Sequence, residues 1–141
     1  MKTTIKLCVI LTLSVITLVS CSKYDEGPGF SLKTKKSRLV GEYDLEKLIV
    51  AGEEITDFDL MTYKFKKDET LDLTVTVEIL GVETSTTTTF GWEFSSDKDR
   101  VLLTEDSQVV DEYFILKLTN DEFWFNYTED GSDLEVHLSK K

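Results

Sequence analysis

The sequence predicts an all-β domain, an eight-stranded antiparallel up-and-down barrel preceded by a short N-terminal helix. Apolar and polar side chains alternate with a period of two in most segments after residue 39, which is typical of half-buried strands. Short turns rich in Asp, Ser and Gly separate these segments, and short links make neighbouring strands antiparallel. Closure into a barrel removes the exposed edges of such a sheet. A two-sheet sandwich is the alternative.

The best candidate for a helix lies at residues 31–39, where Ser31 or Thr34 can act as the N-cap. Its four basic side chains form the only basic cluster of an acidic protein: Lys33, Lys35, Lys36 and Arg38. We interpret this cluster as a solvated face that pairs with nearby carboxylates. Contact with lipid phosphates is the alternative.

The first strand is predicted at residues 41–50, with Tyr43, Leu45 and Ile49 on one face, although Leu48 and Val50 obscure the pattern. A polar loop is predicted at residues 51–60. The clearest alternation follows on one face of the third strand, at Leu71, Leu73, Val75, Val77 and Ile79. The other strands are predicted at 61–65, 84–94, 101–105, 109–118, 122–128 and 134–138.

Residues 1–20 have the features of a secretory signal peptide. Two lysines and no acid precede a twelve-residue apolar run, Leu7 to Leu18. This run is too short to span a bilayer, which needs about 20 apolar residues. A buried strand or helix is the alternative.

The leader ends in Leu18-Val19-Ser20-Cys21, which resembles the lipobox of bacterial lipoproteins. This resemblance implies cleavage before Cys21, a diacylglyceryl thioether on its sulfur and acylation of its amine, for example with palmitate. Two or three acyl chains anchor a protein durably, whereas one binds only marginally. An ordinary secreted protein cut near Ser20 is the alternative.

Cleavage would leave a mature chain without thiol chemistry, because Cys8 departs with the leader and Cys21 carries lipid. Removing the two leader lysines leaves 14 basic and 27 acidic side chains, a net charge of −13. Such a surface repels nucleic acid, so we expect no nucleic-acid partner.

Residues 21–30 are predicted to be the lipidated cysteine and a flexible tether, since they hold the only proline and two glycines. The segment at residues 23–26, Lys-Tyr-Asp-Glu, resembles the charged signals of surface-exported lipoproteins of Bacteroidetes. We therefore expect a lipid-anchored outer-membrane protein, facing either the cell surface or the periplasm. Residues 31–141 form the predicted barrel domain.

Two strands carry aromatic side chains that would meet inside a barrel. They are Phe90, Trp92 and Phe94 on one strand, and Phe123, Phe125 and Tyr127 on the other. One interpretation is a packed core. The other is an apolar ligand cavity, made more polar towards one rim by Thr84, Thr86 and Thr88.

Catalytic or metal chemistry has little support in the sequence. The single histidine, His137, is predicted on the outer face of the last strand. The paired acids lie in predicted turns, where aspartate is common for backbone reasons. A weak calcium site at Asp57 and Asp59 is the one metal hypothesis, and no cofactor is expected.

The helix leading into Gly41-Glu42-Tyr43 resembles the Gly-x-Trp opening of lipocalins, with tyrosine in place of tryptophan. Residues 113–125 and 90–94 resemble segments of the lipocalin-like lipoproteins of Bacteroidetes. The resemblance covers residues 39–140. It implies a barrel and a bound apolar molecule.

These observations favour a non-enzymatic, monomeric barrel that binds a small hydrophobic or amphipathic ligand. The alternative is an envelope interaction module that contacts another protein through acidic loops such as residues 53–59. A hydrolase that uses loop carboxylates is a third hypothesis, without a motif behind it.

Overall fold

A computed structural model of the protein describes residues 32–141. The predicted leader, Cys21, the tether and Ser31 lie outside the described residues. One helix and nine strands make up this part of the chain: α1 (Lys35–Leu39), β1 (Gly41–Val50), β2 (Glu53–Ile55), β3 (Leu60–Phe65), β4 (Thr70–Ile79), β5 (Val82–Phe94), β6 (Arg100–Glu105), β7 (Gln108–Leu118), β8 (Glu122–Glu129) and β9 (Ser132–Lys140).

The strands β1 and β3 to β9 form a closed antiparallel barrel. Each of them pairs with its sequence neighbour, and β9 returns to pair with β1 from Tyr43–Lys140 to Val50–Leu134. This confirms the predicted eight-stranded up-and-down barrel, the architecture that lipocalins use. The paired strands and the buried core both lie within residues 35–140.

Strand β2 is an addition that the sequence did not indicate, since residues 51–60 were expected to be a loop. Ala51 and Gly52 both have positive φ, 50° and 86°, as the tightest hairpin turns require. The turn lets Glu53–Ile55 pair with residues 48–50 of β1. The short strand occupies the edge of β1 that β3 leaves free beyond Asp44.

A β-bulge between Leu45 and Lys47 shifts the alternation of side chains in β1 by one residue, so the inward-facing positions change there. Beyond it, Leu48 pairs with the buried Val136, and Ile49 pairs with Glu135. The prediction that Ile49 shares the face of Tyr43 and Leu45 is therefore wrong, because one extra residue in the bulge shifts the alternation by one position.

Helix α1 covers one end of the barrel, which we call the closed end. Thr34 is its N-cap, as predicted, and the Thr34 side chain accepts a hydrogen bond from the Ser37 backbone N–H at 3.1 Å. The helix ends on Leu39, which is fully buried. The Lys140 ammonium of β9 donates to the carbonyl oxygens of Arg38 and Val40, both at 3.0 Å, which fastens the helix to the last strand.

The basic side chains of this region agree only in part with the interpretation as a solvated face that pairs with carboxylates, because Lys36 contacts a carboxylate whereas Lys35 and Arg38 contact backbone carbonyls. Lys36 forms an ion pair with Glu69, and Lys35 donates to the carbonyl of Lys98. The Arg38 guanidinium donates to the carbonyl of Leu118 at 3.1 Å.

An aromatic core fills the barrel next to the closed end. Phe65 lies at its centre, with its ring centroid 6.2 Å from Tyr43, 5.9 Å from Trp92 and 5.7 Å from Phe123. All three contacts are edge-to-face, the arrangement that aromatic quadrupoles favour. The Tyr43 hydroxyl donates to the Arg38 carbonyl oxygen at 2.7 Å, so this buried phenol is satisfied.

The strands diverge at the opposite end, which we call the open end. The pairing of β7 with β8 stops at Phe114 and Asn126, and β5 pairs with β6 only at residues 91–94. The hairpin of β4 and β5 therefore extends beyond the wall of the barrel. Its tip exposes apolar side chains: Ile79, Leu80 and Val82.

Candidate functional site

Three tyrosines from three strands face the interior towards the open end. Tyr63 of β3 and Tyr113 of β7 are each 4% exposed, and Tyr127 of β8 is half-buried. They surround the fully buried Phe125, whose ring centroid lies 6.2 Å from Tyr63 and 4.1 Å from Tyr113. Tyr113 and Tyr127 are themselves 5.4 Å apart. The rings thus form one contiguous group.

Two carboxylates continue this group outward along the same strands. Asp111 precedes Tyr113 by two residues and pairs with the buried Leu103 across the sheet, so it shares the inward face of β7. Glu129 follows Tyr127 by two residues, and its Oε2 accepts a hydrogen bond from the Tyr127 hydroxyl at 3.4 Å. We call these five residues the tyrosine–carboxylate cluster: Tyr63, Asp111, Tyr113, Tyr127 and Glu129.

Burial and negative charge keep the phenols of the cluster neutral. Loss of solvent is the main cause that raises the pKa of Tyr63 and Tyr113 well above the usual value, and the carboxylates of Asp111 and Glu129 add to the effect. The same causes raise the pKa of Tyr127 to about 12. At physiological pH the three hydroxyl groups are therefore hydrogen-bond donors.

The environment also disfavours the charged form of Asp111. Burial raises the pKa of its carboxyl group, and the nearby carboxylates of Glu129 and Glu112 raise it further. A hydrogen bond from the Glu112 backbone N–H to Asp111 Oδ1, 2.8 Å long, opposes this shift. The cluster therefore holds a negative charge that the fold itself does not neutralise.

We predict that Asp111→Asn stabilises the fold at pH 7. The folded state raises the pKa of Asp111, so the charged carboxylate destabilises the fold above that pKa, and the penalty vanishes as pH falls below the unfolded value. The expected gain in the free energy of unfolding is below about 1 kcal/mol at pH 7, because the group is partly solvated. Urea titrations at pH 7 and about pH 3, with the exposed Glu93→Gln as control, measure it. A less stable Asp111→Asn protein at pH 7 would contradict the prediction.

A groove lies on the side of the barrel, next to the cluster. It lies where β7 and β8 separate, has a volume of about 350 Å³ and includes Asp111 among its lining residues. Asp111 is the residue of the cluster that lines this groove. The groove is lined by Val109, Val110, Asp111, Glu112, Phe114 and Thr128.

The six aromatic residues singled out in the sequence divide between the two ends of the barrel. Trp92, Phe123 and Phe125 are buried, Phe90 and Phe94 pack against the core, and Tyr127 lies in the cluster. Phe65 separates Trp92 from Phe123, and the Trp92 Nε1–H donates to the carbonyl of Thr70 at 3.1 Å. Around Trp92 the structure therefore agrees with the packed-core interpretation. A ligand-binding role for these residues stays a prediction.

The threonines expected to line one rim lie on the β4–β5 hairpin. Thr84, Thr86 and Thr88 pair with Val77, Val75 and Leu73 respectively. All three threonines are exposed, since this part of β5 has no partner strand on its other side.

Four members of the cluster were not predicted from the sequence as site residues: Tyr63, Asp111, Tyr113 and Glu129. A signal was present in β7, where Asp111 occupies the inward phase of the alternation that continues with Tyr113 and Ile115. A carboxylate in that phase is unusual, because inward positions of strands are normally apolar.

His137 lies on the outer face of β9, as predicted. Its ring stacks on Trp124 at 4.0 Å, and its Nε2 lies 2.6 Å from Glu135 Oε1. Lys117 covers the same indole at 4.0 Å. The histidine therefore belongs to a packed surface cluster away from the interior.

The paired acids of the turns have local roles where the structure gives them contacts. Ser95 donates to Asp97 and Asp99, which closes the turn between β5 and β6. The predicted turn position of Glu53 and Glu54 is wrong, because both lie in β2, where Glu54 forms an ion pair with Lys47 at 2.8 Å. Within residues 32–141, no three His, Cys, Asp or Glu side chains come together in an arrangement that could hold a metal ion.

Comparison with known proteins gives structural similarities only. No protein-family model matches the chain, and no curated protein matches its sequence. Among solved structures, the fold is similar to that of "Odorant Binding Protein OBP1", with a TM-score of 0.49 and 15% identity over 79% of this chain and 77% of that one. It is also similar to a redesigned β-barrel, with a TM-score of 0.44 and 16% identity over 79% of this chain and 99% of that one.

Proposed function

We propose that this protein is a lipid-anchored, non-enzymatic barrel that binds a small hydrophobic or amphipathic molecule at its open end. The observation that carries the proposal is the tyrosine–carboxylate cluster, a polar group placed on an apolar floor, of which Asp111 lines the groove at the gap between β7 and β8. Ligand sites typically combine an apolar lining with a few polar groups that orient the ligand. The only histidine of the chain lies on the outer surface, which favours binding over acid–base catalysis.

A neutral fluorescent probe tests this binding function. We expect N-phenyl-1-naphthylamine to bind the purified protein of residues 22–141 saturably, with one site per barrel, and n-decanol to displace it. Val110→Trp should weaken binding about tenfold or more, because Val110 lines the groove and is 50% exposed.

The matched control is Val82→Trp, since Val82 is a comparably exposed valine on the tip of the β4–β5 hairpin. It should bind the probe like the unsubstituted protein. Absence of saturable binding, or equal loss in both variants, would rule out a ligand site at the gap between β7 and β8.

The proposed anchor is lipid on Cys21, which precedes the first described residue in the chain. The described chain begins beside α1, at the closed end. Lipid attached before this point would join the membrane to the closed end of the barrel through the predicted tether. This arrangement suits either face of the outer membrane. Among the described residues, no helix has the length and apolar character needed to cross a bilayer.

An envelope interaction module is the second candidate, and the exposed tip of the β4–β5 hairpin favours it. Leu80 is fully exposed and Ile79 is 61% exposed, although neither position is needed to close the barrel. A photo-crosslinking residue at position 80 should capture a defined envelope protein if this candidate is correct. The same residue at position 93, on the outer wall, serves as the control.

A further inference from the structure

We infer that the closed end of the barrel docks on an anionic lipid surface, where the basic side chains around α1 contact the phosphate headgroups. This inference goes beyond ligand binding and rests on the proposed lipid anchor, which by itself leaves the barrel free to turn. It follows from the division of charge between the two ends of the barrel and from the hydrogen bonds of Arg38 and Lys140.

The charged side chains are divided unevenly between the two ends. The half of the barrel next to α1 holds 12 of the 13 Lys and Arg side chains of the described segment, together with 10 carboxylates. The half next to the open end holds 15 carboxylates and a single Lys or Arg side chain, Lys47. The half next to α1 comprises residues 32–45, 62–72, 92–101, 116–124 and 139–141. An acidic protein thus carries its basic side chains at one end.

The positive charge is densest around α1. Residues 32–40 hold four basic side chains and no acidic one. Lys33 and Lys36 are both exposed, although Lys36 also contacts Glu69. Their ammonium groups can therefore reach a surface that lies against this end.

Arg38 and Lys140 carry charge without an ion-pair partner among residues 32–141. Their side chains donate to backbone carbonyl oxygens at distances of 3.0–3.1 Å. By contrast, Lys66 on the wall lies 3.0 Å from the carboxylate of Asp72. Carbonyl oxygens satisfy hydrogen-bond donors but carry no net charge, so the positive potential at the closed end persists.

Two further observations indicate an excess of positive charge at this end. The Nε–H of Arg38 is buried and has no acceptor in the described part of the chain. Burial lowers the pKa of the Lys140 ammonium group, and the nearby charge of Lys33 lowers it further, whereas Asp121 opposes the shift. Cations meet here at a cost, and an external anion would relieve their repulsion.

The length of the barrel lets the two ends act separately on a membrane. The ends of a ten-residue strand such as β1 lie about 33 Å apart along the strand, or about 25 Å along the axis of a barrel with tilted strands. Charges in physiological salt are screened over about 8 Å. Headgroups that touch the closed end therefore attract it, whereas headgroups that approach the open end meet only repulsion.

The occupant is a lipid surface because the proposed anchor brings one to this end. Cys21 precedes Leu32 by eleven residues, so lipid on Cys21 keeps the closed end within about 40 Å of the headgroups. Such tethering gives even a weak electrostatic contact a high effective concentration. The barrel would then stand with its open end away from the membrane.

Energy transfer to labelled headgroups tests this orientation. The only thiol of residues 21–141 is that of Cys21, which can be coupled to a maleimide lipid in vesicles of equal parts phosphatidylcholine and phosphatidylglycerol. A donor dye on a click-reactive residue at position 96, in the exposed turn of the closed end, should transfer about twofold or more efficiently than one at position 80, because the two positions lie at opposite ends of the barrel. The difference should vanish on pure phosphatidylcholine and in about 1 M salt.

Lys33→Gln/Lys36→Gln should lose the difference between the two dye positions. Its matched control is Thr84→Glu/Thr86→Glu, which makes the same change in net charge at exposed positions of the opposite end. The control should keep the difference, because added negative charge at the open end is repelled by the headgroups. Circular dichroism and thermal unfolding establish that each variant is folded.

Three outcomes would overturn the inference: equal transfer from positions 96 and 80 on the anionic vesicles, a difference that persists on pure phosphatidylcholine, or equal loss in both double variants. The lipid and salt comparisons use the unsubstituted chain, so they decide the question even if a variant does not fold. The maleimide bond replaces acylation and no small ligand is added. Failure here therefore leaves the binding function and the acylation of Cys21 to their own tests.

Discussion

Phe65→Ala should lower the free energy of unfolding by about 3–5 kcal/mol. The Phe65 side chain is 1% exposed. Its ring centroid lies within 6.2 Å of the ring centroids of Tyr43, Trp92 and Phe123. Removal of the ring leaves a cavity that three rigid aromatic neighbours on different strands cannot fill. Since small domains are stable by only about 5–15 kcal/mol, this is the largest effect that we expect of one core substitution.

Urea titration of residues 22–141, followed by circular dichroism, measures the loss. Phe114→Ala is the matched control, because Phe114 is 47% exposed on the outer face of β7, and it should cost less than about 1 kcal/mol. If Phe65→Ala does not fold, Phe65→Leu gives a smaller loss of about 1.5 kcal/mol. Equal losses for the Phe65 and Phe114 variants would show that the aromatic core does not stabilise the barrel as described.

Cys21→Ala should abolish lipid attachment completely. If Cys21 is the acylated residue, only its thiol can form the thioether, and no other side chain can replace it. The full chain, expressed in a Gram-negative host with an alkyne-tagged palmitate, should carry label and appear in the outer-membrane fraction. The Cys21→Ala protein should carry none.

Cys8→Ala is the control, since Cys8 lies within the predicted leader. That variant should be labelled and localised like the unsubstituted chain. Mass spectrometry of the mature N-terminal peptide should find the acyl groups on Cys21. Label that persists in Cys21→Ala, or that disappears in Cys8→Ala, would refute anchoring through Cys21.

The barrel could be predicted from the sequence because its alternation is local. Leu71 and Leu73 face inward in the phase that the pattern of β4 indicates, and closure follows once short turns connect eight such strands. The bulge at Leu45–Lys47 could not be predicted. A bulge is defined by its pairing with the partner strand, here β9. The sequence of β1 alone therefore shows apolar residues on both faces and does not reveal the shift of register.

The candidate site was predictable only in part, for a related reason. Alternation tells which side chains face inward but not how far each lies from the closed end. Trp92 and Tyr127 both face inward, yet Trp92 lies in the packed core and Tyr127 lies near the mouth. The carboxylate of Asp111 joins the tyrosines because β7 and β8 separate at its level, and no pattern within a single strand reports that separation.

The bond between Lys140 and the end of α1 brings both ends of the described chain to the same side of the molecule. A fluorescent reporter or purification tag fused after Lys141 would therefore emerge beside the proposed lipid and leave the ligand entrance free. A tag inserted at the β4–β5 tip would stand next to the mouth instead. Labels that should not disturb ligand binding are therefore best placed at the C-terminus. Labels that should report ligand binding are best placed on the protruding hairpin.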